Sequence, residues 1–511
     1  MENLLRLVTW WSVVFLSPTK ALIATPSNSS GAAVKSPNST IFLNQNNVKG
    51  LVGKPGVELL GVVDSLAMCE ALCENQGQTP CKSFTWHHAD YVKPRYQRHC
   101  YGHTDSFWAP VPEDLIDSGR LSGTGPMGCT CEADCAFAGT CVAGACVCRR
   151  PWSGPRCATL DLAPMNVDPS ATGLKLPHNW TWGGSVIRDS RDGRYHMYVM
   201  HLKEHCGIQC YQSNGQVLHA TANAPEGPFT VQGVALDPRP GKWDSDTLSE
   251  PSVYRAPDGT FLLFYMGLND TVPRPFNCMK ADTQCRGIGG VRKIGVAFAT
   301  SLDGPWQRLD EPLLGPNPAP KDSHGSPNCD THDVSNPAVA FAPNGSAIMA
   351  FKGEGHCGQG VMGFATAPHW RGPWTRPQGT SKGSMAYRMG ARACEDPYIY
   401  WDAQAGLYRM LSHACEAPGL GGHFFSHDGL AWSEAWTDNI TWAYNAQVPL
   451  ANGHIRTFYR RERPQVLLDE HGAFECLYNA AQPCKATWGD KCHSYTMVQC
   501  TRGDEPVSEL Q

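Results

Sequence analysis

The sequence has little that would suit it to nucleic acid or to an acidic membrane surface. Its 42 Lys and Arg residues are outnumbered by 47 Asp and Glu residues, and the formal net charge at pH 7 is −5. A chain that binds a polyanion usually concentrates basic residues in a patch or stripe, and the mixed signs here do not indicate one. We therefore expect neither kind of partner.

Long hydrophobic runs are also scarce. The run from Leu7 to Leu16 follows a short start that contains Arg6, and small residues occur near Ala21 and Ala24. This length is typical of a signal peptide rather than a membrane span. We expect residues 1–24 to be a signal peptide, with an uncleaved signal anchor as the alternative, and no membrane span after its removal.

The cysteine content also indicates the secretory pathway. Twenty-three cysteines are far too many for an ordinary cytosolic enzyme and indicate an oxidising compartment. We expect a protein that is secreted, or held in the secretory pathway or at the cell surface. Of six Asn-x-Ser/Thr acceptors, four are predicted glycosylation sites: Asn179, Asn269, Asn344 and Asn439. Residues 25–47, rich in Ser, Asn, Pro and Thr, are predicted to be a flexible linker.

One sequence unit recurs five times between residues 183 and 477. In its clearest copy, Glu250-Pro251 precedes a short apolar strand, an Asp258-Gly259 turn and a second apolar strand ending at Gly267. This is a β-hairpin pattern. The other copies begin at Gly183, Asn336, Asp396 and Arg463.

A second hairpin signal alternates with the first. Ala-Thr followed by Gly-Pro-aromatic occurs at residues 220–229, 299–306 and 365–374, and a related Asp-Gly-x-x-Trp occurs at 428–432. Each unit therefore has about four strands, and five such units predict an all-β, five-bladed β-propeller over residues 160–505. A two-sheet sandwich is the alternative.

Two small cysteine-rich modules are predicted before the propeller. Residues 48–125 contain a Cys-x3-Cys helix pattern, a strand at Cys81–Trp86 and a distant fourth cysteine, an order that resembles the PAN/apple family. The resemblance implies two bridges and a module that binds protein or carbohydrate; a stapled spacer without a ligand is the alternative. The cysteines are Cys69, Cys73, Cys81 and Cys100.

Residues 129–158 form the second module. Six closely spaced cysteines could pair in 15 ways, and a zinc site is disfavoured by the ligand spacing. The ending Cys-x-Cys-x3-Trp-x-Gly-x2-Cys resembles the EGF-like family. That resemblance implies three bridges and leaves Cys129 over: Cys131–Cys141, Cys135–Cys146 and Cys148–Cys157. The two modules together predict an extracellular protein partner.

Twelve further cysteines lie in the propeller, and their proximity suggests six pairs. These pairs are Cys206–Cys210, Cys278–Cys285, Cys329–Cys357, Cys394–Cys415, Cys476–Cys500 and Cys484–Cys492.

The candidate site follows from the repeat. The first strand of each propeller unit lines the central channel, so the residue that opens each copy is a site candidate. Carboxylates that converge there beside aromatic rings are what glycoside hydrolysis needs, because one carboxyl protonates the leaving oxygen and another assists attack on the anomeric carbon.

The unit also resembles the five-bladed propellers of glycoside hydrolase family 43, and looks most like a eukaryotic branch of that group. The resemblance rests on Trp182-Gly183-Gly184-Ser185, Glu395-Asp396-Pro397 and Arg461-Glu462-Arg463-Pro464-Gln465, among other segments. It implies an inverting hydrolase with an Asp base, a Glu acid and an Asp that tunes the acid. The place of the base is held by Gly183-Gly184, so Asp244, Asp246 or Asp333 must replace it, or the chain does not hydrolyse.

We therefore predict a carbohydrate-active protein that binds glycan or polysaccharide, with a glycosidase site at the propeller mouth. A non-catalytic glycan-binding or adhesion protein and a glycoside phosphorylase are the alternatives. No cofactor is required, and a structural Ca²⁺ or Na⁺ at the axis is compatible with the resemblance. The predicted catalytic residues are Glu250, Glu395, Asp396 and Asp333, and the predicted substrate-binding residues are Trp182, Asn336, Glu354, His332, His413, His423 and Arg463.

Overall fold

The computed structural model describes most of the chain from residue 129 onward. The described ranges are 129–203, 206–269, 290–319, 321, 328–355, 358–377, 395–413, 419–435, 442–485 and 492–502. Before residue 129 it describes only strands, and these belong to a separate compact unit. Within the described residues, no helix is both long and apolar enough to cross a membrane. The helices there are two 3₁₀ turns, Glu132–Cys135 and Ile208–Cys210.

The N-terminal unit is built from antiparallel strands. Its main sheet has the order β1-β2-β8-β5-β6-β4, and β3 pairs with β7. Strand β5 confirms the strand predicted after Cys81, whereas the predicted helix and the four cysteine side chains lie outside the described residues. The strands are β1 Ala33–Lys35, β2 Ser39–Phe42, β3 Gln45–Asn46, β4 Val57–Val62, β5 Ser83–His87, β6 His99–His103, β7 Val111–Pro112 and β8 Ile116–Leu121.

Residues 129–158, here called the cysteine module, form small hairpins held by three disulfides. Strands β9 Gly139–Val142 and β10 Ala145–Cys148 pair with each other, and β11 Trp152–Ser153 pairs with β12 Thr159–Leu160. So small a module buries little apolar surface, so the bridges carry much of its stability.

The disulfides correct one prediction. The first bridge is Cys129–Cys141, and Cys131 is a free, exposed thiol. Cys129 is buried and its N–H donates to Gly144 O at 2.9 Å, which holds it beside Cys141. Cys131 instead opens the 3₁₀ turn, where its N–H donates to the carboxylate of Asp134. The bridges Cys135–Cys146 and Cys148–Cys157 are confirmed.

The cysteine module belongs to a second compact unit, which comprises residues 129–435 and 442–511. Beyond the module, the described residues of this second unit form five antiparallel sheets in chain order, each made of three or four consecutive strands. Valine, isoleucine, phenylalanine and tyrosine are frequent in these strands, as the hairpin pattern predicts. A separate hairpin joins β28 Gln447–Pro449 to β29 Ile455–Thr457. Sheet 1 contains β13 Trp180–Arg188, β14 Tyr195–Leu202, β15 Gly215–Ala222 and β16 Thr230–Leu236; sheet 2 contains β17 Thr247–Arg255, β18 Phe261–Leu268, β19 Lys293–Ala299 and β20 Gln307–Arg308; sheet 3 contains β21 Asp333–Phe341, β22 Ala347–Gly355 and β23 Gly358–Ala367; sheet 4 contains β24 Glu395–Asp402, β25 Leu407–His413, β26 Gly421–Ser426 and β27 Ser433–Glu434; sheet 5 contains β30 Arg460–Leu468, β31 Phe474–Gln482 and β32 Tyr495–Cys500.

The five sheets close into a ring. Their first strands, β13, β17, β21, β24 and β30, touch in that order, and β30 touches β13 again. Apolar cores lie between neighbouring sheets: sheet 1 packs on sheet 5 through one cluster and on sheet 2 through another. Similar clusters join sheet 2 to sheet 3 and sheet 3 to sheet 4. The all-β prediction is confirmed, and radial repetition leaves the first strands at the centre.

The second sequence recurrence is also structural. Each Gly-Pro-aromatic segment lies after a third strand and has a cis peptide bond, at Gly227-Pro228, Gly304-Pro305 and Gly372-Pro373. The disulfides Cys476–Cys500 and Cys484–Cys492 are confirmed. The predicted partners Cys278, Cys285, Cys357, Cys394 and Cys415 lie outside the described residues.

Candidate active site at the centre of the ring

The five first strands share one irregularity at the same place. Gly183, Glu250, Asn336, Asp396 and Arg463, here called the axial positions, all have φ between 53° and 58°. At each of them the pairing with the second strand shifts register. A left-handed backbone costs a residue with a side chain about 1–2 kcal/mol. Strain that recurs at one place in four sheets, on polar side chains, indicates a functional site.

The axial side chains meet one another. Arg463 Nη1 lies 2.5 Å from Glu250 Oε2 and 3.6 Å from Asp396 Oδ1. The backbone N–H of Arg463 donates to Asp396 Oδ2 at 3.1 Å. Asn336 Nδ2 donates to Asp396 Oδ1, and to Glu250 Oε2 at 3.5 Å. The structure therefore brings four predicted site residues into one hydrogen-bonded group.

The structure also gives a reason for the glycine where the family 43 resemblance expects an acid. A Cβ on Gly183 would lie 3.0 Å from Arg463 Cβ and 3.1 Å from Arg463 Nε. The side chain of Arg463 thus occupies the room that a carboxylate at position 183 would need.

Burial sets the charge of this group. Glu250, Asp396 and Arg463 are all less than 10% exposed. Two carboxylates and one guanidinium would leave a net negative charge in a poorly solvated place, which is costly. Burial accordingly raises the pKa of Glu250 to about 7, although the charge of Arg463 opposes the shift. At neutral pH a large fraction of Glu250 is therefore a carboxylic acid.

The pKa of a second carboxyl, that of Glu395, is shifted in the opposite direction. Lys352 Nζ lies 2.6 Å from Glu395 Oε2, and His413 Nδ1 lies 3.2 Å from Glu395 Oε1. Burial alone would raise the pKa of Glu395, but the hydrogen bond from His413 and the charge of Lys352 hold it well below its usual range. Its side chain is 25% exposed. Glu395 is thus an ionised carboxylate within reach of solvent.

His413 joins this carboxylate to the axial group. Its Nδ1 lies 3.9 Å from Asp396 Oδ2, and its Nε2 lies 3.8 Å from Glu462 Oε1. Burial alone would lower the pKa of His413, but the charges of Glu462 and Glu395 raise it to about 9. Burial raises the pKa of Glu462 in turn. His413 is therefore an imidazolium at neutral pH.

Asp333 and Glu354 lie at the outer end of the same network. Arg292 Nη2 lies 2.9 Å from Asp333 Oδ2 and 2.7 Å from Glu354 Oε2, and Lys352 Nζ lies 3.4 Å from Glu354 Oε1. Burial alone would raise the pKa of Glu354, but the charges of Arg292 and Lys352 and their hydrogen bonds together lower it. His332, which is exposed, precedes Asp333 in the chain, and the backbone N–H of His332 donates to the backbone carbonyl of Glu354.

Two of the predicted substrate-binding residues, Trp182 and His423, lie away from this network. Trp182 is 4% exposed and packs in an apolar cluster with Trp180 and Met200, so it offers no open platform for a sugar. His423 is fully buried and its ring stacks on Trp152 at 3.8 Å.

Asp244, a candidate replacement for the missing base, is fully buried. It lies 2.9 Å from Arg239 and 3.1 Å from Arg308, and it accepts a hydrogen bond from Tyr265. These contacts give it a structural role within sheet 2.

The sequence analysis missed Arg292 and Lys352. Lys352 lies on β22, the second strand of sheet 3, opposite Ser335. A signal was present, because Lys352 and Glu354 interrupt a strand that is otherwise apolar. Buried charges of this kind are rare unless they are paired.

One group here could hold a cation. Glu395, Asp396, His413 and Glu462 each offer a ligand atom, and these atoms lie within 4.8 Å of one another. Three carboxylates suit a hard cation such as Ca²⁺, and His413 would have to lose its proton to join them.

The distance between the central carboxyls limits their chemistry. Glu250 Oε2 and Asp396 Oδ1 both contact Arg463 Nη1, at 2.5 and 3.6 Å, so they are at most about 6 Å apart. Carboxyls that invert a glycoside are about 6.5–9.5 Å apart, with room for water between them. Arg463 and Asn336 contact both Glu250 and Asp396 and lie between them. Glu250 and Asp396 therefore do not form an inverting pair.

Comparisons with known proteins give matches of low similarity among solved structures. No protein-family model matches the chain, and no curated protein matches it by sequence. Among solved structures, a family 117 glycoside hydrolase of Zobellia galactanivorans is 12% identical over 67% of this chain and 90% of its own, with a TM-score of 0.41. A family 43 β-xylosidase/α-arabinofuranosidase from a compost metagenome is 15% identical, with coverages of 66% and 94% and a TM-score of 0.42. An α-L-arabinofuranosidase of Lactobacillus brevis is 13% identical, with coverages of 66% and 94% and a TM-score of 0.41. These values are too low to carry an argument about activity.

Proposed function

We propose that the protein is a secreted, carbohydrate-active five-bladed β-propeller of the glycoside hydrolase family 43-like group, and that it hydrolyses a glycosidic bond at the centre of the ring. One observation carries the proposal: two glutamates of the same network have opposite pKa shifts. The pKa of Glu250 is raised to about 7 and that of Glu395 is lowered. Carboxyls whose environments separate their pKa values in this way are suited to acid and base roles.

The roles follow from these protonation states. Glu250 is the proposed general acid, which gives its proton to the leaving glycosidic oxygen as the bond to the anomeric carbon breaks. Glu395 is the proposed base, which takes a proton from the water that attacks the anomeric carbon. Asp396 is the proposed tuning residue, since its charge raises the pKa of Glu250 and of His413.

The remaining site residues bind or orient. Lys352 and His413 fix the carboxylate of Glu395, and Asn336 and Arg463 fix Asp396 and Glu250. Asp333, Glu354 and His332 form the outer rim, where part of each side chain reaches solvent. A Ca²⁺ or Na⁺ ion at Glu395, Asp396, His413 and Glu462 is a further proposal, and it would replace the charge of the His413 proton.

Two features favour a non-catalytic glycan-binding protein as the second candidate. The Glu250–Asp396 pair is bridged by Arg463, and position 183 has no carboxyl. A phosphorylase is a third candidate, because Arg463 Nε and Nη2 are buried without hydrogen-bond partners and phosphate is a good ligand for such a group. The PAN-like and EGF-like modules are proposed to bind an extracellular protein or glycan.

The test is release of reducing ends by the secreted protein from a panel of plant, algal and fungal polysaccharides, with and without phosphate. We expect release without phosphate, reduced at least 100-fold in Glu250→Gln and Glu395→Gln and unchanged in Glu470→Gln, whose side chain is 72% exposed. Formation of a sugar 1-phosphate that requires added phosphate, without new reducing ends, would establish the phosphorylase, because phosphorolysis leaves phosphate on the anomeric carbon. Binding of a polysaccharide without release would establish the glycan-binding protein.

A further inference from the structure

Two buried imidazoles face each other in sheet 1, on strands that do not contain the axial positions. His196 lies on β14 and His219 on β15, and the register makes them diagonal neighbours on one face, since His196 is opposite Thr221 and His219 is opposite Tyr198. His196 Nδ1 is 2.9 Å from His219 Nε2. The two residues are 0% and 7% exposed.

A carboxylate from sheet 2 completes the group. Asp303 lies in the turn between β19 and β20, and ligand atoms of His196, His219 and Asp303 all lie within 4.8 Å of one another. The Asp303 side chain is 60% exposed and forms a distant ion pair, 4.0 Å from Arg194 Nη2. Its carboxylate can therefore turn toward the imidazoles at little cost.

The second nitrogen of His196 gives independent evidence. His196 Nε2 is buried and has no hydrogen-bond partner, although it lies 4.0 Å from Asp192 Oδ2. A buried ring nitrogen without a partner is costly. A histidine that binds a metal through one nitrogen usually donates the proton on the other to a carboxylate, which fixes the tautomer. Asp192 is placed to accept that proton.

We propose that His196 Nδ1, His219 Nε2 and Asp303 bind a divalent transition-metal ion, such as zinc, that links sheet 1 to sheet 2. Two imidazoles and a carboxylate are a suitable ligand set for zinc. Two nitrogens bound to one zinc ion at about 2.0–2.1 Å are about 3.0–3.4 Å apart, so the 2.9 Å separation here needs only a small adjustment. Before binding, the proton between the two rings is carried by one of the two facing nitrogens. On binding it moves by exchange with solvent to the other nitrogen of the same ring, so both imidazoles stay neutral and no net proton is released.

The protonation states agree with this geometry. Burial lowers the pKa of His196, and burial together with the neighbouring His196 lowers the pKa of His219 to about 4. Both imidazoles are thus neutral at pH 7, as metal ligands must be. The site differs from the group at Glu395, Asp396, His413 and Glu462, which has three carboxylates and one imidazole and suits Ca²⁺ better.

The experiment is a calorimetric titration of the intact full-length chain with Zn²⁺, after EDTA treatment and dialysis, in the presence of excess Ca²⁺. We expect one equivalent of Zn²⁺ to bind and to raise the melting temperature, because the ion binds the folded state. Asp303→Asn should weaken binding at least tenfold without changing the melting temperature in EDTA. His219→Gln should abolish binding. Two control variants should bind as the unaltered chain does. Asp310→Asn removes a carboxylate that is 73% exposed and lies two residues after β20, and His471→Gln removes an exposed imidazole.

Failure to bind Zn²⁺ would overturn the proposal. Unchanged Zn²⁺ binding in Asp303→Asn would also overturn it. This variant should fold normally even if His219→Gln does not. Loss of binding in His413→Gln alone would place the ion at the axial group and would also contradict it. None of these outcomes depends on whether the chain hydrolyses glycosides.

Discussion

Arg463 lies across the face of Gly183, with its Cβ 3.0 Å from the point that a Cβ of residue 183 would occupy. The two residues belong to sheet 5 and sheet 1, which are adjacent only because the ring closes. A side chain at axial position 183 would thus meet the arginine at axial position 463. The charge of Arg463 neutralises part of the charge of Glu250 and Asp396.

This coupling predicts the effect of Gly183→Ala. Gly183 and Gly193 both have a left-handed backbone, but only a Cβ at 183 meets Arg463, since nothing lies within 4 Å of one at 193. Gly193→Ala should cost about 1–2 kcal/mol of stability, and Gly183→Ala about 1–3 kcal/mol more because of overpacking. Urea unfolding measures both. The additional cost should disappear in the Arg463→Ala background, and its persistence there would show that Arg463 is not its source.

Two buried groups, Glu250 and His413, should each contribute a decline in stability as pH rises. The Glu250 carboxyl has a pKa of about 7 when folded against an ordinary 4.5, so between these values the folded state holds a proton that the unfolded state has lost. The pKa of His413 is about 9 against 6.5, so its contribution is complete below pH 6.5 and is lost as pH rises through 9. The lowered pKa values of His196 and His219 act in the opposite direction up to pH 6.5, and those of Glu395 and Glu354 do so at more acid pH.

Two variants separate these contributions in denaturant unfolding measured across the pH range. Glu250→Gln should flatten the decline between pH 4.5 and 7, and His413→Gln should flatten it above pH 6.5. A decline in Glu250→Gln as steep as that of the unaltered chain would mean that Glu250 titrates normally.

The cysteine module should depend on Arg409 for its attachment to sheet 4. Arg409 is fully buried, and it donates to Ala136 O at 3.0 Å and to Phe137 O at 2.8 Å while it pairs with Asp402. Arg409→Met should cost about 3–5 kcal/mol, because Asp402 and the two carbonyls lose their partner.

Limited proteolysis and thermal unfolding measure this effect, and cleavage within residues 129–160 should become faster. Arg188→Met is the matched control, because the Arg188 side chain is 48% exposed and its ion pair is 4.0 Å long. It should change stability by less than about 0.5 kcal/mol. Equal effects of the two substitutions would show that Arg409 does not hold the module.

The disulfide assignment predicts a contrast between two neighbouring cysteines. Cys129→Ser opens the bridge to Cys141, which spans 12 residues, and should cost about 2–4 kcal/mol. Cys131→Ser should leave stability unchanged, and should remove one thiol that iodoacetamide labels in the non-reduced protein. Thermal unfolding and mass spectrometry of labelled peptides measure both. A larger loss of stability in Cys131→Ser than in Cys129→Ser would instead support the Cys131–Cys141 bridge that the EGF-like resemblance implies.

Much of the site could be predicted because the sequence repeats. Glu250, Asn336, Asp396 and Arg463 open equivalent hairpins, and equivalent positions in a closed ring of sheets converge on its centre. Lys352 and Arg292 could not be found in this way, because they lie on other strands or loops and reach the site through the ion pairs they form. Trp182 and His423 were misplaced for a related reason: whether an aromatic ring is open to a ligand depends on what packs over it, and Trp152 of the cysteine module covers His423.

The order of strands, the number of repeats and the chemical identity of the axial positions were determined by the sequence alone, because local hairpin patterns specify their own turns and strands. The tertiary structure decided which cysteine pairs with Cys141, which carboxyl holds a proton and which is ionised. A pKa depends on burial and on charges within a few ångströms, and those neighbours come from distant parts of the chain. Glu250 and Glu395 are similar residues in the sequence, and only the folded structure places one beside Arg463 and the other between Lys352 and His413.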